Sequence, residues 1–174
     1  MRNSLWAIAV AGFLPAALPL QAAHQLIRID VEGSGLSEPV SITNRDALRD
    51  FSVWSGPGAY AEGVEETEGF IIDWRAGPSP APPEGLVRYE ARFFEGCYRM
   101  DYGCHGGDPA LVYVVRYLVD PATGQGFVYL PAPGEKAFET NHTMWRGGRE
   151  GRWFRASKDW DGYVQPMLRA AGAQ

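Results

Sequence analysis

The two cysteines of the chain, Cys97 and Cys104, are the residues whose type and spacing most clearly allow chemistry. In an oxidising compartment two such thiols form a disulfide. Closing a loop of this length would stabilise the fold by roughly 2.5 kcal/mol in the chain-entropy account. The spacing is wider than the C-x-x-C of redox-active pairs. We therefore predict a structural disulfide between Cys97 and Cys104.

A metal site is the alternative for the same segment. Its ligands would be the two cysteine thiolates together with Asp101, His105 and Asp108. Structural zinc sites usually combine closer cysteine pairs with a second pair of ligands, which this segment lacks. The disulfide is therefore favoured, and we predict no metal and no cofactor.

The residues between the cysteines form a candidate binding loop. They are Tyr98, Arg99, Met100, Asp101 and Tyr102. Aromatic residues, Met and Arg are enriched at protein contacts, and a disulfide would lower the ordering cost of binding. The alternative is a hairpin tip that is stapled only for stability, which is the commoner role of such loops in small exported domains.

A nucleophile with a general base is not recognisable in the sequence. His142 has no partner that the sequence can place beside it. Ser55 lies in a Trp-Ser-Gly-Pro-Gly segment, but a nucleophile elbow requires Gly at position 53, where this chain has Val. Phosphate-loop, dinucleotide and H-E-x-x-H patterns are also missing from the sequence. We predict no catalytic residue among the His and Ser side chains.

Carboxylates in an aromatic cleft would be the chemistry of a small glycan hydrolase. The candidate acids are Asp73, Glu90, Asp159 and Asp161. The candidate sugar platforms are Trp54, Trp74 and Trp145. Asp73 lies inside an apolar run and would have a displaced pKa if it were buried. An Asp in such a run more often points outward or pairs with Arg, and Trp in a domain of this size is more often core.

The first 23 residues are typical of a secretory signal peptide. Arg2 is followed by the apolar run 5–14 and by small residues that end at Ala23. Pro15 and Pro19 interrupt the run, which falls short of the roughly 20 apolar residues that span a bilayer. We predict that residues 24–174 form a single globular domain, soluble and periplasmic or extracellular, with no stable membrane insertion after the signal is removed.

The charge pattern argues against nucleic acid as a partner. The formal net charge is −5, and losing Arg2 with the signal would make it −6. Positive charges are scattered, and no basic stripe is visible. A protein or another envelope component is the expected kind of partner.

The elements that would position any site are organised around a predicted hairpin over 110–131. Its two Val- and Tyr-rich runs are separated by a turn with Asp120-Pro121 and two glycines. Alternating runs predict a strand at 25–32, a short paired strand at 39–42 and a strand at 86–95 next to 110–119. The fold class is α+β or mainly β, with an antiparallel sheet of about six or seven strands and two short helices.

Other elements are predicted from shorter patterns. Thr43 or Asn44 would cap the first helix, and Ser157 the second, which Pro166 limits to two short pieces or a kink. The run 69–75 predicts a strand, and 59–68 an exposed segment. Residues 138–146 and 152–156 predict a hairpin, with Trp145 and Trp153 as core or cross-strand aromatics.

Four stretches carry a resemblance to a known group of proteins. They are FSVWSGPG at 51–58, YVVRY at 113–117, GFVYLP at 126–131 and GRWF at 151–154. Together they resemble a group of uncharacterised exported bacterial proteins over most of the chain after residue 23. The resemblance implies a shared fold and export, and it implies no activity.

These patterns predict an exported envelope domain that serves as a binding or structural module, and they favour a role other than that of an enzyme. This prediction rests on the predicted signal peptide, the predicted disulfide and the lack of a recognisable set of catalytic residues in the sequence. The alternative is a small secreted hydrolase that acts on glycan with paired carboxylates.

Overall fold

The computed structural model describes residues 24–33, 35–97 and 108–172. The strands are β1 (His24–Gly33), β2 (Val40–Ile42), β3 (Tyr60–Ala61), β4 (Val64–Glu65), β5 (Pro78–Ser79), β6 (Val87–Cys97), β7 (Ala110–Val119), β8 (Gly126–Tyr129) and β9 (Trp153–Arg155). The helices are α1 (Arg45–Asp50), α2 (Lys136–Thr140) and α3 (Lys158–Gly172), with 3₁₀ turns at Trp74–Ala76 and Asn141–Thr143. No helix in these ranges is long and apolar enough to cross a membrane.

Seven strands form one antiparallel sheet in the order β2-β1-β6-β7-β8-β9-β5. β3 and β4 form a separate small hairpin. This architecture confirms the predicted fold class, and β7 and β8 confirm the hairpin at its centre. The register explains the core, because Val31, Ala91 and Val115 lie side by side across three strands and are all completely buried.

The N-terminal elements follow their sequence patterns. β1 pairs with β2 as predicted, and His24 lies at the start of β1 opposite Cys97. The side chain of Asn44 accepts hydrogen bonds from the N–H groups of Asp46 and Ala47, which confirms it as the cap of α1.

The last helix packs against the sheet through one face. Trp160, Val164 and Leu168 recur every four residues and are buried, as an amphipathic helix requires. Trp160 meets the ring of Phe51 edge-on at 5.1 Å between centroids. α3 continues through the exposed Pro166 as one element of 15 residues, so the prediction of two short pieces is wrong.

The predicted strand at 69–75 is also wrong. Phe70, Ile71 and Ile72 are all buried, so the run lacks the second, exposed face of an alternating strand. Phe70 has a φ of 65°, which turns the chain, and only Ile72 forms an isolated bridge, to Ala156. The side chain of Asp73 then caps the 3₁₀ turn by accepting the N–H of Ala76 at 3.2 Å.

The predicted strand at 138–146 is wrong, because residues 138–143 belong to α2 and to the 3₁₀ turn that follows it. The reason lies in Asn141, which is buried and occupies the edge of β7 where β8 does not reach. Its Oδ1 accepts the N–H of Val114 at 2.7 Å, and its Nδ2 donates to the Val114 carbonyl at 2.8 Å. A side-chain amide therefore takes the place of a neighbouring strand at this point.

The aromatic predictions for this part of the chain are divided. Trp153 lies opposite Tyr129 with ring centroids 4.9 Å apart, which confirms a cross-strand pair. Trp145 is 67% exposed, so its assignment as core or cross-strand aromatic is wrong.

Candidate functional site

A buried arginine organises the loops at one end of the sheet. Arg146 has no exposed surface, and its guanidinium donates to three backbone carbonyls of the loop that follows α1. Nη1 donates to Ser55 at 2.7 Å and to Pro57 at 3.0 Å, and Nη2 donates to Val53 at 2.6 Å. These bonds join parts of the chain that lie about ninety residues apart in sequence. We call this group, Arg146 with the carbonyls of residues 53–57, the arginine anchor.

Aromatic rings surround the same guanidinium. Its central carbon lies 4.7 Å from the ring centroid of Phe70 and 5.6 Å from those of Trp74 and Tyr113. Burial lowers the pKa of Arg146 from its ordinary value. The π faces and the three carbonyls replace the lost water, and a guanidinium keeps its charge in proteins.

Backbone contacts leave little room at the arginine anchor. The N–H of Arg146 donates to Oε1 of Glu150 at 2.5 Å. Gly58 has a φ of 89°, and a Cβ there would lie 2.2 Å from the Trp145 carbonyl oxygen. Only glycine allows this approach, so the loop is held by its backbone as well as by Arg146.

A cleft of about 570 Å³ opens beside the arginine anchor. Its lining residues come from several loops, a 3₁₀ turn and the end strands of the sheet, and they include Trp74, Arg75, Gly147, Arg149, Arg152 and Phe154. We call it the arginine cleft. Its volume falls within the roughly 300–1,000 Å³ of small-molecule sites.

The arginine cleft is positive although the chain as a whole is negative. Arg75 pairs with Glu68, whose hydrogen bond raises the pKa of that exposed guanidinium. Arg149 is half-buried and donates from Nη1 to the Arg146 carbonyl at 2.8 Å. Arg152 is exposed and forms no ion pair with any described residue. The described residues that line the cleft thus carry three guanidinium groups and one carboxylate.

The predicted disulfide and binding loop lie largely outside the described residues. Cys97 ends β6, but Cys104 and the whole loop Tyr98, Arg99, Met100, Asp101 and Tyr102 fall in the gap 98–107. The disulfide and the binding loop therefore remain predictions, as does the signal peptide at 1–23. Of the alternative metal ligands, Asp108 is described and exposed, while Asp101 and His105 fall in the same gap.

The other polar candidates serve the local backbone. Ser55 donates its hydroxyl to the Ser52 carbonyl at 2.8 Å and accepts the N–H of Phe70 at 3.0 Å, so it ties two loops together. His142 is exposed, and its Nδ1 lies 2.6 Å from the Glu139 carbonyl oxygen. Within the described ranges, no three His, Cys, Asp or Glu side chains lie close enough together to hold a metal ion.

The four candidate carboxylates have separate surroundings. Asp73 caps a 3₁₀ turn, Glu90 lies beside Arg92 on β6, and Asp159 is exposed in the first turn of α3. None of the four is among the described residues that line the arginine cleft.

Asp161 is half-buried and takes part in a hydrogen-bond network between α3 and the sheet. Its Oδ1 accepts the hydroxyl of Tyr117 at 2.6 Å, and its Oδ2 accepts the N–H of Gly126 at 2.8 Å. Gln165 donates to the same hydroxyl at 3.2 Å. Burial raises the pKa of Asp161, although the hydrogen bonds that its carboxylate accepts oppose this shift. Burial also raises the pKa of Tyr117, and the negative charge of Asp161 adds to that shift. The network connects α3 to the sheet, and the Tyr117 hydroxyl at its centre belongs to a completely buried side chain.

The sequence analysis missed the arginines that make the cleft. Of the three proposed sugar platforms, Trp74 lines it, whereas Trp54 and Trp145 are exposed and do not. A usable signal was present in the segment 145–152, where three arginines alternate with three glycines. Glycine allows a ligand to approach the backbone closely because it has no Cβ, and Arg binds planar anions, so this composition is typical of a recognition loop.

Comparison with known proteins gives no further assignment, since no family model, no curated protein and no solved structure matches the chain.

Proposed function

We propose that this protein is an exported binding module of the cell envelope and that the arginine cleft is its binding site. The observation that carries the proposal is the cleft itself, a concave space of about 570 Å³ with three arginines and a tryptophan on its walls. Pockets in which a few polar groups converge on an aromatic surface are the usual form of ligand sites. Export rests on the signal peptide predicted at residues 1–23.

The chemistry of the cleft favours binding over catalysis. Glu68 is the carboxylate among its described lining residues, and it is engaged with Arg75. A glycosidase needs two carboxylates on either side of the bond that it cleaves. The glycan hydrolase alternative retains support from Trp74, which lines the cleft and could stack on a sugar, but it lacks the second acid there.

The arginine anchor supports the same proposal. A binding site costs less free energy to occupy when it is already ordered. Arg146 fixes the loop at residues 53–57 by three hydrogen bonds, and Trp74 contacts the same guanidinium. One wall of the cleft is thereby positioned before any ligand arrives.

Co-sedimentation with envelope material tests the proposal. The mature chain is incubated with the washed insoluble envelope fraction of the source cells and centrifuged, and protein in the pellet is measured at rising salt. We expect retention that falls with salt and that is lost in the double variant Arg149→Gln/Arg152→Gln. The control Arg155→Gln removes the same kind of charge from an exposed position outside the cleft.

Equal retention of the cleft variant and the wild type would show that the cleft does not bind the envelope. N-terminal sequencing of protein recovered from the periplasm or medium tests export separately. A chain that begins near residue 24 is expected, and an intact Met1 on all of the protein would contradict it.

A further inference from the structure

We infer that the arginine cleft binds an acidic saccharide, a sugar chain that carries carboxylates. The inference rests on the proposed function and adds the class of ligand. Three properties of the cleft lead to it: its guanidinium groups, its fixed aromatic surface and the sheet edge beside it.

The guanidinium groups select for an oxyanion. Arg152 is exposed and has no ion pair within the described part of the chain, so it is available to a ligand. Arg75 is exposed as well and has a carboxylate partner, Glu68, that an incoming carboxylate can replace. Arg pairs with carboxylates through two parallel hydrogen bonds, and this geometry gives direction as well as charge. A neutral ligand would leave Arg152 without an anionic partner.

The aromatic surface suits a sugar ring. Trp74 is half-buried, and its indole N–H donates to the Gly69 carbonyl at 2.8 Å. The ring of Phe154, which also lines the cleft, lies 5.3 Å from that of Trp74 at an angle of 63°. These contacts fix the indole before binding, so stacking on it costs little conformational entropy. A large flat apolar group beside cationic groups matches a ligand with apolar ring faces and an acidic substituent.

The sheet edge beside the cleft disfavours an extended peptide, the other acidic polymer to be considered. β5 is the outer strand here, and it consists of Pro78 and Ser79 alone. The residues that follow are Pro80, Ala81, Pro82 and Pro83. Proline has no N–H to donate, so this short, proline-rich edge is poorly suited to pair with an added peptide strand. An acidic peptide would lose the backbone hydrogen bonds that usually provide its affinity.

Calorimetric titration with defined oligomers tests the inference. The probes are oligogalacturonate and the same oligomer with its carboxylates methyl-esterified, so that only the charge differs. Polyglutamate and inorganic phosphate represent anions without sugar rings. The wild type is compared with Arg152→Gln, Trp74→Phe and the control Arg155→Gln, each checked by its melting curve.

We expect oligogalacturonate to bind and its methyl ester to bind at least about tenfold more weakly, since a charged hydrogen bond is lost. Arg152→Gln should weaken binding by about tenfold, and Trp74→Phe by several-fold, while Arg155→Gln should leave it unchanged. Polyglutamate and phosphate should bind more weakly than the oligosaccharide.

Three results would overturn the inference in different ways. Equal binding of the methyl ester would mean that charge is not recognised. Binding of polyglutamate or phosphate as tight as that of oligogalacturonate, with no effect of Trp74→Phe, would mean an anion site without sugar specificity. If oligogalacturonate does not bind but envelope retention is still lost in Arg149→Gln/Arg152→Gln, the saccharide is wrong and the proposed function stands. If retention is unaffected as well, both are wrong.

Discussion

The interface between α3 and the sheet and the arginine anchor are equally buried, but different forces hold them. At the first, Trp160 packs edge-on against Phe51 at 5.1 Å and Tyr117 at 5.9 Å. Such packing follows from apolar area and shape, and many arrangements of similar volume satisfy it. At the second, Arg146 meets three carbonyls and several π faces, and each partner must lie in a particular direction.

Because different forces hold the two regions, we expect them to respond differently to substitution. An apolar side chain that is shortened loses burial and leaves a cavity in proportion to its size. Removing a buried guanidinium instead leaves three carbonyls without donors, and each unsatisfied acceptor costs about 1–3 kcal/mol. We therefore expect a substitution at the arginine anchor to reduce the free energy of unfolding more than one at the helix interface. The loops of the cleft should lose their order together with the arginine anchor.

Arg146→Met should have the largest effect. Met fills most of the volume but donates no hydrogen bond, so we expect a loss of about 4 kcal/mol in the free energy of unfolding. Urea denaturation measures it. Arg155→Met, at an exposed position on β9, should change stability by less than about 0.5 kcal/mol.

Arg146→Lys separates charge from geometry in the same region. Lys keeps the cation but cannot reach three carbonyls with a planar fork, so it should recover less than half of the loss. Amide exchange should then accelerate in residues 53–58 well before the strands β6 and β7. Full stability of Arg146→Lys would show that charge alone holds the loop. Full stability of Arg146→Met would show that Arg146 does not hold the loop at all.

The same contrast explains what the sequence allowed us to predict. Alternation in 86–95 and in 110–119 predicts the two central strands, because burial on one face of a sheet imposes a period of two residues. The cap at Asn44 is local as well, since donor and acceptor lie within three residues. These elements, the sheet and the hairpin at its centre were within reach of the sequence.

The candidate site could not be predicted from the sequence, because its contacts are long-range. Nothing near Arg146 in the sequence indicates the carbonyls of Val53, Ser55 and Pro57, which lie about ninety residues earlier. The apolar run at Phe70 misleads for the same reason, since its ring partners Phe93 and Tyr113 lie on strands that come later in the chain. Asn141 likewise takes its position from a gap in the pairing of β7, which no local pattern encodes.

Asn141→Ala tests a polar contact inside the sheet region. It leaves both the N–H and the carbonyl of Val114 without partners in a buried place, so we expect a loss of about 2 kcal/mol. The exposed neighbour gives a matched control, and His142→Ala should be close to neutral in the same urea denaturation. A neutral Asn141→Ala would mean that water replaces the amide and that directional bonds matter only at the arginine anchor.

Trp160→Phe should cost less than its complete burial suggests. The smaller ring loses contacts, but the indole N–H of Trp160 is buried without a partner among the described residues. Removing an unpaired N–H offsets part of the lost packing, so we expect a net loss of about 1 kcal/mol by thermal or urea unfolding. A loss as large as that of Arg146→Met would show that the helix interface is as sensitive to substitution as the arginine anchor.

The smallest expected effect is a pH dependence at Asp161, an acidic residue of α3 that is hydrogen-bonded to the sheet. Burial raises its pKa in the folded protein, although the bonds from Tyr117 and Gly126 oppose the shift. The folded state then holds a proton more tightly than the unfolded chain, so the contribution of Asp161 to stability is present below the ordinary Asp pKa of about 3.9 and is lost as the pH rises through the folded value.

Asp161→Asn removes this titration and should flatten that part of the stability curve, as urea midpoints between pH 3 and pH 7 can show. The variant should also be less stable at every pH, because both partners of the carboxylate are donors and an amide offers only one acceptor atom. Asp159→Asn is the matched control, since this carboxylate is exposed in the same helical turn. If Asp161→Asn leaves the pH dependence unchanged, the hydrogen bonds cancel the effect of burial on the Asp161 pKa, and the helix interface depends on directional partners as the arginine anchor does.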